Sequence, residues 1–353
     1  LVAEDVTASM LAEYQHKGLQ AIVSLCGSNN SHAAILAKAL DLPAIMGVES
    51  IPLGQLNKQI AIVDGYSGAL FVAPNQSLKN EYQLLIQEEL TLTEKVRELT
   101  HLPTITQDGR SIDLLLNAGL SSGFEHSKHS GAIGIGLYRT EIPFMNRSSF
   151  PTEQEQTHLY KEVLAAFPQQ AVTMRTLDVG GDKYLSYFPI KEDNPFLGWR
   201  GIRITLDHPE IFLVQVRAMM RASYQTDNLE IMLPMISNVM EVDDSIRLIN
   251  QAYFELSSEL FLDNGKVLSR PKIGIMLEVP SVIFQLKELA QRVDFFSVGS
   301  NDLTQYLLAV DRNNPRVSNL YDSYHPAVLR ALNTIAQESA KHLVPLSLCG
   351  ELA

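Results

Sequence analysis

A rhythm constrains this chain more than any single motif. Seven short apolar segments, IDLLLN, IGIGLYRTE, AVTMRTLDVG, LEIMLPMI, KIGIMLEVP, DFFSVGSND and VPLSLCGE, recur through its later part, separated by helical stretches such as TEQEQTHLYKEVLAAF and HPAVLRALNTIAQESAKH. Short β-like runs alternating with helices predict parallel βα units, so the fold class is α/β. The best fit is a (β/α)8-type barrel over residues 104–353, truncated before its eighth strand. At 353 residues the chain has room for a barrel of about 250 residues and a second domain.

The earlier part has a different texture. Across residues 1–76, short β-rich pieces (LQAIVSL, KQIAIVDG, ALFVA) alternate with two helical pieces, which reads as a small α/β domain. Between the two parts, LKNEYQLLIQEELTLTEKVREL contains no Gly or Pro and predicts a linker helix over 77–103. Pro74 and Pro103 flank it, which places a hinge at either end.

Composition excludes several classes. The net charge is −12 and the 28 Lys and Arg form no basic cluster, so nucleic acid is not an expected partner. Two cysteines, Cys26 and Cys349, make no disulfide framework and fit no structural zinc spacing, which points to a reducing, cytoplasmic setting. Cys26, in IVSLCG, reads as packing. No apolar run is long enough to span a bilayer, so membrane insertion is not expected. The chain begins at Leu1 and stops at Ala353 after an apolar stretch, and it reads as a fragment of a longer polypeptide.

The ends of the apolar segments carry the chemistry. Arg139 and Glu141 follow GIGLY, Arg175 and Asp178 stand in MRTLD, Glu278 follows GIML, Asn301 and Asp302 follow SVGS, and Cys349 follows LSL. In a barrel those ends share one rim, where the strands fix geometry and the loops vary. Arg139, Arg175, Arg200 in NPFLGWRGIR and Arg312 in AVDRNN are guanidinium forks suited to a phosphorylated acid. Glu278 and Asp302 offer the pair of carboxylates by which Mg2+ is commonly held. Taken singly, each of these groups could equally be a surface ion pair or an ordinary polar strand end.

His32 poses a separate question. In SNNSHAAILAKALDLPAIMG it stands at the first turn of an expected helix that Asn30 or Ser31 would cap. Amides without intrahelical partners lower an imidazole's proton affinity there, and they favour an anion arriving on the ring. One position would serve both the attacking nitrogen and the phosphorylated product.

The segments GIGLYRTEIPFM, MRTLDVGGDK, NPFLGWRGIRI, IMLPMI, DFFSVGSNDLTQYLLAVDRNNP and LCGELA resemble enzyme I of the bacterial phosphotransferase system, the phosphoenolpyruvate-protein phosphotransferases. The wording of SVGSNDLTQYLLAVDRNNPRVSNLYDSYHPAVLRAL is closer to the nitrogen-related branch. The resemblance implies that residues 1–76 form a swivelling phosphohistidine domain and 104–353 a phosphoenolpyruvate (PEP)-binding barrel. It also implies that Arg139, Arg175, Arg200, Asn301, Asp302 and Arg312 bind PEP, that Glu278 and Asp302 hold Mg2+, that His32 is phosphorylated, and that Cys349 protonates enolpyruvate to pyruvate. By the same resemblance the phosphoryl group passes to an HPr-like carrier protein or its nitrogen-branch equivalent, and the barrel forms a homodimer. Where the family pattern places Thr before the Ser-His pair, this chain has Asn30. Two other readings share much of this sequence pattern: a pyruvate phosphate dikinase or PEP synthase, which would need an ATP-binding domain, and a non-catalytic regulatory module of the same fold.

Overall fold

The computed structural model describes residues 1–6, 8–15, 17–26, 34, 37, 40, 42–48, 59–100, 102–119, 131–145, 147–181, 183, 185–265, 267–314 and 316–353. His32, and with it Asn30 and Ser31, lies outside the described residues. The chain divides into two units, Leu1–Ile112 with His129–Gly131 and Asp113–Lys128 with Ala132–Ala353.

In the first unit three short parallel strands, β1 (Val2–Ala3), β2 (Ile22–Ser24) and β3 (Ala44–Ile45), pair in chain order. Helix α1 (Ala8–Gln15) lies between the first two, and Leu11, Ile22, Val6 and Ala37 form the core. The pieces KQIAIVDG and ALFVA form an antiparallel hairpin, β4 (Ala61–Asp64) and β5 (Ala69–Val72). Asp64 builds its turn by accepting from the amides of Tyr66 and Ser67 at 2.9 and 3.1 Å. The expected connector is a helix, α2 (Gln76–Leu99). Its Tyr82 hydroxyl donates to Asp64 at 2.9 Å and its ring lies 5.7 Å from that of Phe71, so its early turns pack on the hairpin. Cys26 corrects the sequence reading: it is exposed, because β2 ends two residues earlier and with it the buried row.

In the second unit every one of the seven apolar segments contributes a strand: β6 (Leu116–Ala118), β7 (Ile135–Arg139), β8 (Val172–Arg175), β9 (Leu229–Leu233), β10 (Lys272–Leu277), β11 (Phe295–Gly299) and β12 (Leu346–Cys349). All pair in parallel and in sequence order. Leu137 of β7, Met232, Met276 and Phe295 form one buried cluster against which Cys349 of β12 packs. In a flat sheet β7 and β12 would stand about 24 Å apart at roughly 4.8 Å per strand, so the sheet is rolled into a nearly closed barrel around those side chains.

Helices clothe the outside. The principal ones are α3 (Glu141–Met145), α4 (Glu153–Ala166), α5 (Ile202–Asp207), α6 (Pro209–Ser223), α7 (Val239–Asn264), α8 (Leu286–Leu289), α9 (Ser300–Leu308) and α10 (Pro326–His342). Thr152 with Glu155, and Asn238 with Glu241, form capping boxes that start α4 and α7 where the sequence changes period. Tyr160, Phe212, Val216, Met219 and Ile249 then bury the helix faces against the outer side of β7–β10. Among the described residues no helix is long and apolar enough to cross a membrane.

Candidate active site

Burying a guanidinium costs several kcal/mol unless carboxylates meet it, so the buried arginines locate the site. Arg175 closes β8 and is 5% exposed; Arg200, in the turn before α5, is 1% exposed. Gly201 allows that inward turn: its φ is +57°, and an added Cβ would lie 2.9 Å from Met235. Arg175 Nη2 donates to Glu141 Oε1 at 2.6 Å, and its Nη1 lies 3.2 Å from Asp178 Oδ2. Arg200 Nη2 reaches Asp178 Oδ2 at 3.3 Å and Asp302 Oδ2 at 3.5 Å. Arg312 Nη1 approaches Asp302 Oδ1 at 3.8 Å.

Lys183 completes this arrangement and was not singled out in the sequence. Its ammonium hydrogen-bonds Asp178 and lies 3.7 Å from Glu141. Burial alone pushes the Asp178 carboxyl up, but Lys183, Arg200 and Arg175 override it and hold the group far below the usual carboxylate range. Glu141 shifts down the same way, burial being outweighed by Arg175 and Lys183. Glu141 and Asp178 are therefore fixed anions beneath the arginines. The signal available in the sequence was a lysine directly after Gly-Gly-Asp, in a loop following a strand that already ends in Arg and Asp.

Glu278 behaves differently. It follows β10, is fully buried, and its Oε1 accepts from the Met235 amide at 2.6 Å. Its other oxygen lies over Gly299, where an added Cβ would stand 2.7 Å from Oε2. Burial, then the nearby Asp302 and Asp178, push its carboxyl up to about 7. Asp302, flanked by Arg200 and Arg312, is held down although burial opposes it, so Glu278 is the member of this acidic pair with the higher proton affinity. A buried carboxyl whose proton affinity is raised by burial and by the nearby Asp302 charge suits a hard divalent cation, which relieves that repulsion, and Glu278 with Asp302 would hold Mg2+. Among the described residues no group of three or more His, Cys, Asp or Glu is arranged for a metal, so the remaining ligands would come from substrate and water.

Cys349 ends β12. Its thiol donates to the Val298 carbonyl at 3.2 Å, and burial, then the charge of Glu278, push it up to about 11. Asn301, at the start of α9, accepts the Glu351 amide on its side-chain oxygen at 2.9 Å and so ties the loop after β12 to α9. Arg139 pairs in register with Arg175 across β7 and β8, and its Nε is buried without a hydrogen-bond partner among the described residues. The rim thus brings together Arg139, Arg175, Arg200, Glu278, Asn301, Asp302, Arg312 and Cys349. His32 is the one sequence-derived candidate the structure does not describe.

Residues 93–353 match the profile of the PEP-binding domain of PEP-utilising enzymes, and residues 1–68 match their mobile domain. The chain belongs to the PEP-utilising enzymes. Among its relatives it is 53% identical to a protein of Escherichia coli named "Phosphoenolpyruvate-dependent phosphotransferase system" and 52% identical to one of the same name from Salmonella typhimurium, over all of this chain and 46% of either relative. It is 40% identical to the phosphoenolpyruvate-protein phosphotransferase of Haemophilus influenzae, over all of this chain and 61% of that protein. It therefore spans about half the length of the first two. This PEP-utilising enzyme carries the nearly closed parallel barrel that the alternating segments predicted, and the enzyme I resemblance agrees with the names of its relatives.

Proposed function

We propose that this chain takes the phosphoryl group of PEP onto its own His32, releases pyruvate, and passes the group to a histidine-containing carrier protein of a phosphotransferase system. The observation that carries the reading is the charge of the rim. Five cationic side chains, Arg139, Arg175, Lys183, Arg200 and Arg312, gather around four carboxylates, Glu141, Asp178, Glu278 and Asp302. A divalent cation on Glu278 and Asp302 leaves a strong positive excess, matched to a small molecule bearing one phosphate and one carboxylate.

The chain's own groups divide the work. Arg175 and Arg200, already braced by Glu141 and Asp178, orient the anion without first having to be ordered, which is the preorganisation that lowers a phosphoryl-transfer barrier. Arg139 and Arg312 each keep a buried nitrogen without a hydrogen-bond partner among the described residues, so they have donors left for substrate. Mg2+, when bound, would neutralise charge on the phosphoryl and carboxylate oxygens. Attack by the His32 ring nitrogen forms the N–P bond as the bridging O–P bond breaks, and enolpyruvate leaves. Cys349, protonated at neutral pH because its thiol lies near 11, gives its proton to the methylene carbon, and pyruvate results.

Residues 1–76 would be the swivelling phosphohistidine domain, 77–103 its linker helix and 104–353 the PEP-binding barrel; the enzyme would work in the cytoplasm as a homodimer. The test is intact-mass measurement of the full-length protein mixed with PEP and Mg2+. One acid-labile phosphoryl group should appear, and none in His32→Ala. ATP in place of PEP should add none; phosphorylation by ATP would favour a dikinase instead.

A further inference from the structure

We infer that Gln215 is a positioning residue: from a helix outside the barrel, its single amide sets the spacing between the two strand ends that carry Arg139 and Arg175. The inference rests on the proposed PEP site and concerns how that site keeps its shape. Gln215 is fully buried on α6, and its side chain touches both strand ends. Its Oε1 accepts the Leu177 amide at 2.8 Å, and its Nε2 donates to the Thr140 hydroxyl at 3.1 Å and to the Tyr160 hydroxyl at 3.2 Å. Thr140 in turn donates to the Arg175 carbonyl at 2.7 Å.

The direction of every bond in this chain is determined. Flipping the amide would set its NH2 against the Leu177 N–H, two donors face to face, so Oε1 must point there. The Thr140 oxygen then receives from Nε2, and its own proton is committed to Arg175. Thr140 lies between Arg139 and Glu141, and Leu177 stands two residues after Arg175 and directly before Asp178. The amide therefore clasps the middle of both charged segments.

The location explains why a clasp is needed. The β7–β8 ladder shifts register between Ile135 and Tyr138, and its last pair is Arg139 with Arg175. Among the described residues the backbone pairing of the two segments stops at that pair, and beyond it Gln215 with Thr140 links them. On the far side Tyr160 donates to Gln156 at 3.1 Å, a link that reaches α4 and no charged group of the rim.

Tyr160→Phe is therefore the control for Gln215→Met. Both remove buried hydrogen bonds and should lower the melting temperature, but only Gln215→Met should weaken PEP binding in the presence of Mg2+, by about tenfold or more, because small misplacements of charged donors are costly. Thr140→Val, which is close in shape but removes both hydrogen bonds of the Thr140 hydroxyl, should weaken PEP in the same direction, and Thr140→Ser should restore it. Retention of wild-type PEP affinity by folded Gln215→Met or Thr140→Val, or equal weakening by Tyr160→Phe, would overturn the inference. If the wild-type protein binds no PEP, the proposed function fails instead, and exchange of the Leu177 amide decides: faster exchange in Gln215→Met than in Tyr160→Phe supports the clasp, and equal exchange refutes it.

Discussion

Glu278→Gln should make the ligand-free barrel more stable while removing its capacity to bind Mg2+. Glu278 is an acid whose folded-state pKa lies near 7 against an ordinary 4.5, so its burial costs stability that grows as pH rises between those values and is complete above the higher one. Linkage gives about 1 kcal/mol at pH 5 and about 3 kcal/mol at pH 8, taking roughly 1.4 kcal/mol for each tenfold change in proton affinity. Gln keeps an oxygen for the Met235 amide, so the substitution removes the charge and leaves that anchor in place. For a unit of this size the gain at pH 8 corresponds to roughly 6–12 °C in melting temperature, and about a third of that at pH 5. Thermal unfolding at both pH values, each with and without Mg2+, is the assay. Wild-type protein should gain stability from Mg2+ at pH 8 and Glu278→Gln should not. A variant that melts lower than wild type at pH 8, or whose gain is the same at both pH values, would refute the reasoning that unpaired charge at Glu278 is what the site stores.

Cys349→Ala should slow pyruvate formation by about 10²–10⁴-fold while PEP still binds, measured by coupled pyruvate assay and by titration; an unchanged rate removes the thiol from the mechanism. Asp178→Asn strips the anion shared by Arg175, Lys183 and Arg200 and should cost about 3–5 kcal/mol in denaturant unfolding, since two buried guanidinium groups and a partly buried ammonium are left under-compensated. Glu153→Gln, by contrast, breaks a half-exposed clamp to Arg217 and Arg221 and should cost about 1 kcal/mol at low ionic strength, shrinking in molar salt.

The barrel was legible because strand periodicity and strand-end chemistry are local signals. GIGLYRTE, MRTLD and SVGSND announce both a buried strand and the polar group it delivers. IDLLLN was less legible: only its end joins the sheet, as β6, and Leu114 and Leu115 before it stay exposed. What local pattern cannot show is which charges lie beneath others. Glu141 and Asp178 were visible as strand-end acids, but their role as counter-charges to Arg175 and Arg200 depends on side chains distant in sequence. Lys183 was hidden for the same reason, and Gln215 more deeply, since a lone glutamine in an amphipathic helix reads as a solvated residue until the fold buries it. Cys26 failed the opposite way: an apolar run suggested burial, but the strand stops before the run does.

The central claim is that this rim is a preorganised receptor for PEP together with a divalent cation. Calorimetric titration of PEP into the full-length protein, with Mg2+ and with Mg2+ chelated away, tests it most directly. Saturable binding with Mg2+ that weakens sharply on chelation, and that disappears in Glu278→Gln, is the result the account requires. No heat of binding in the presence of Mg2+, or an affinity indifferent to both the metal and Glu278, would contradict it.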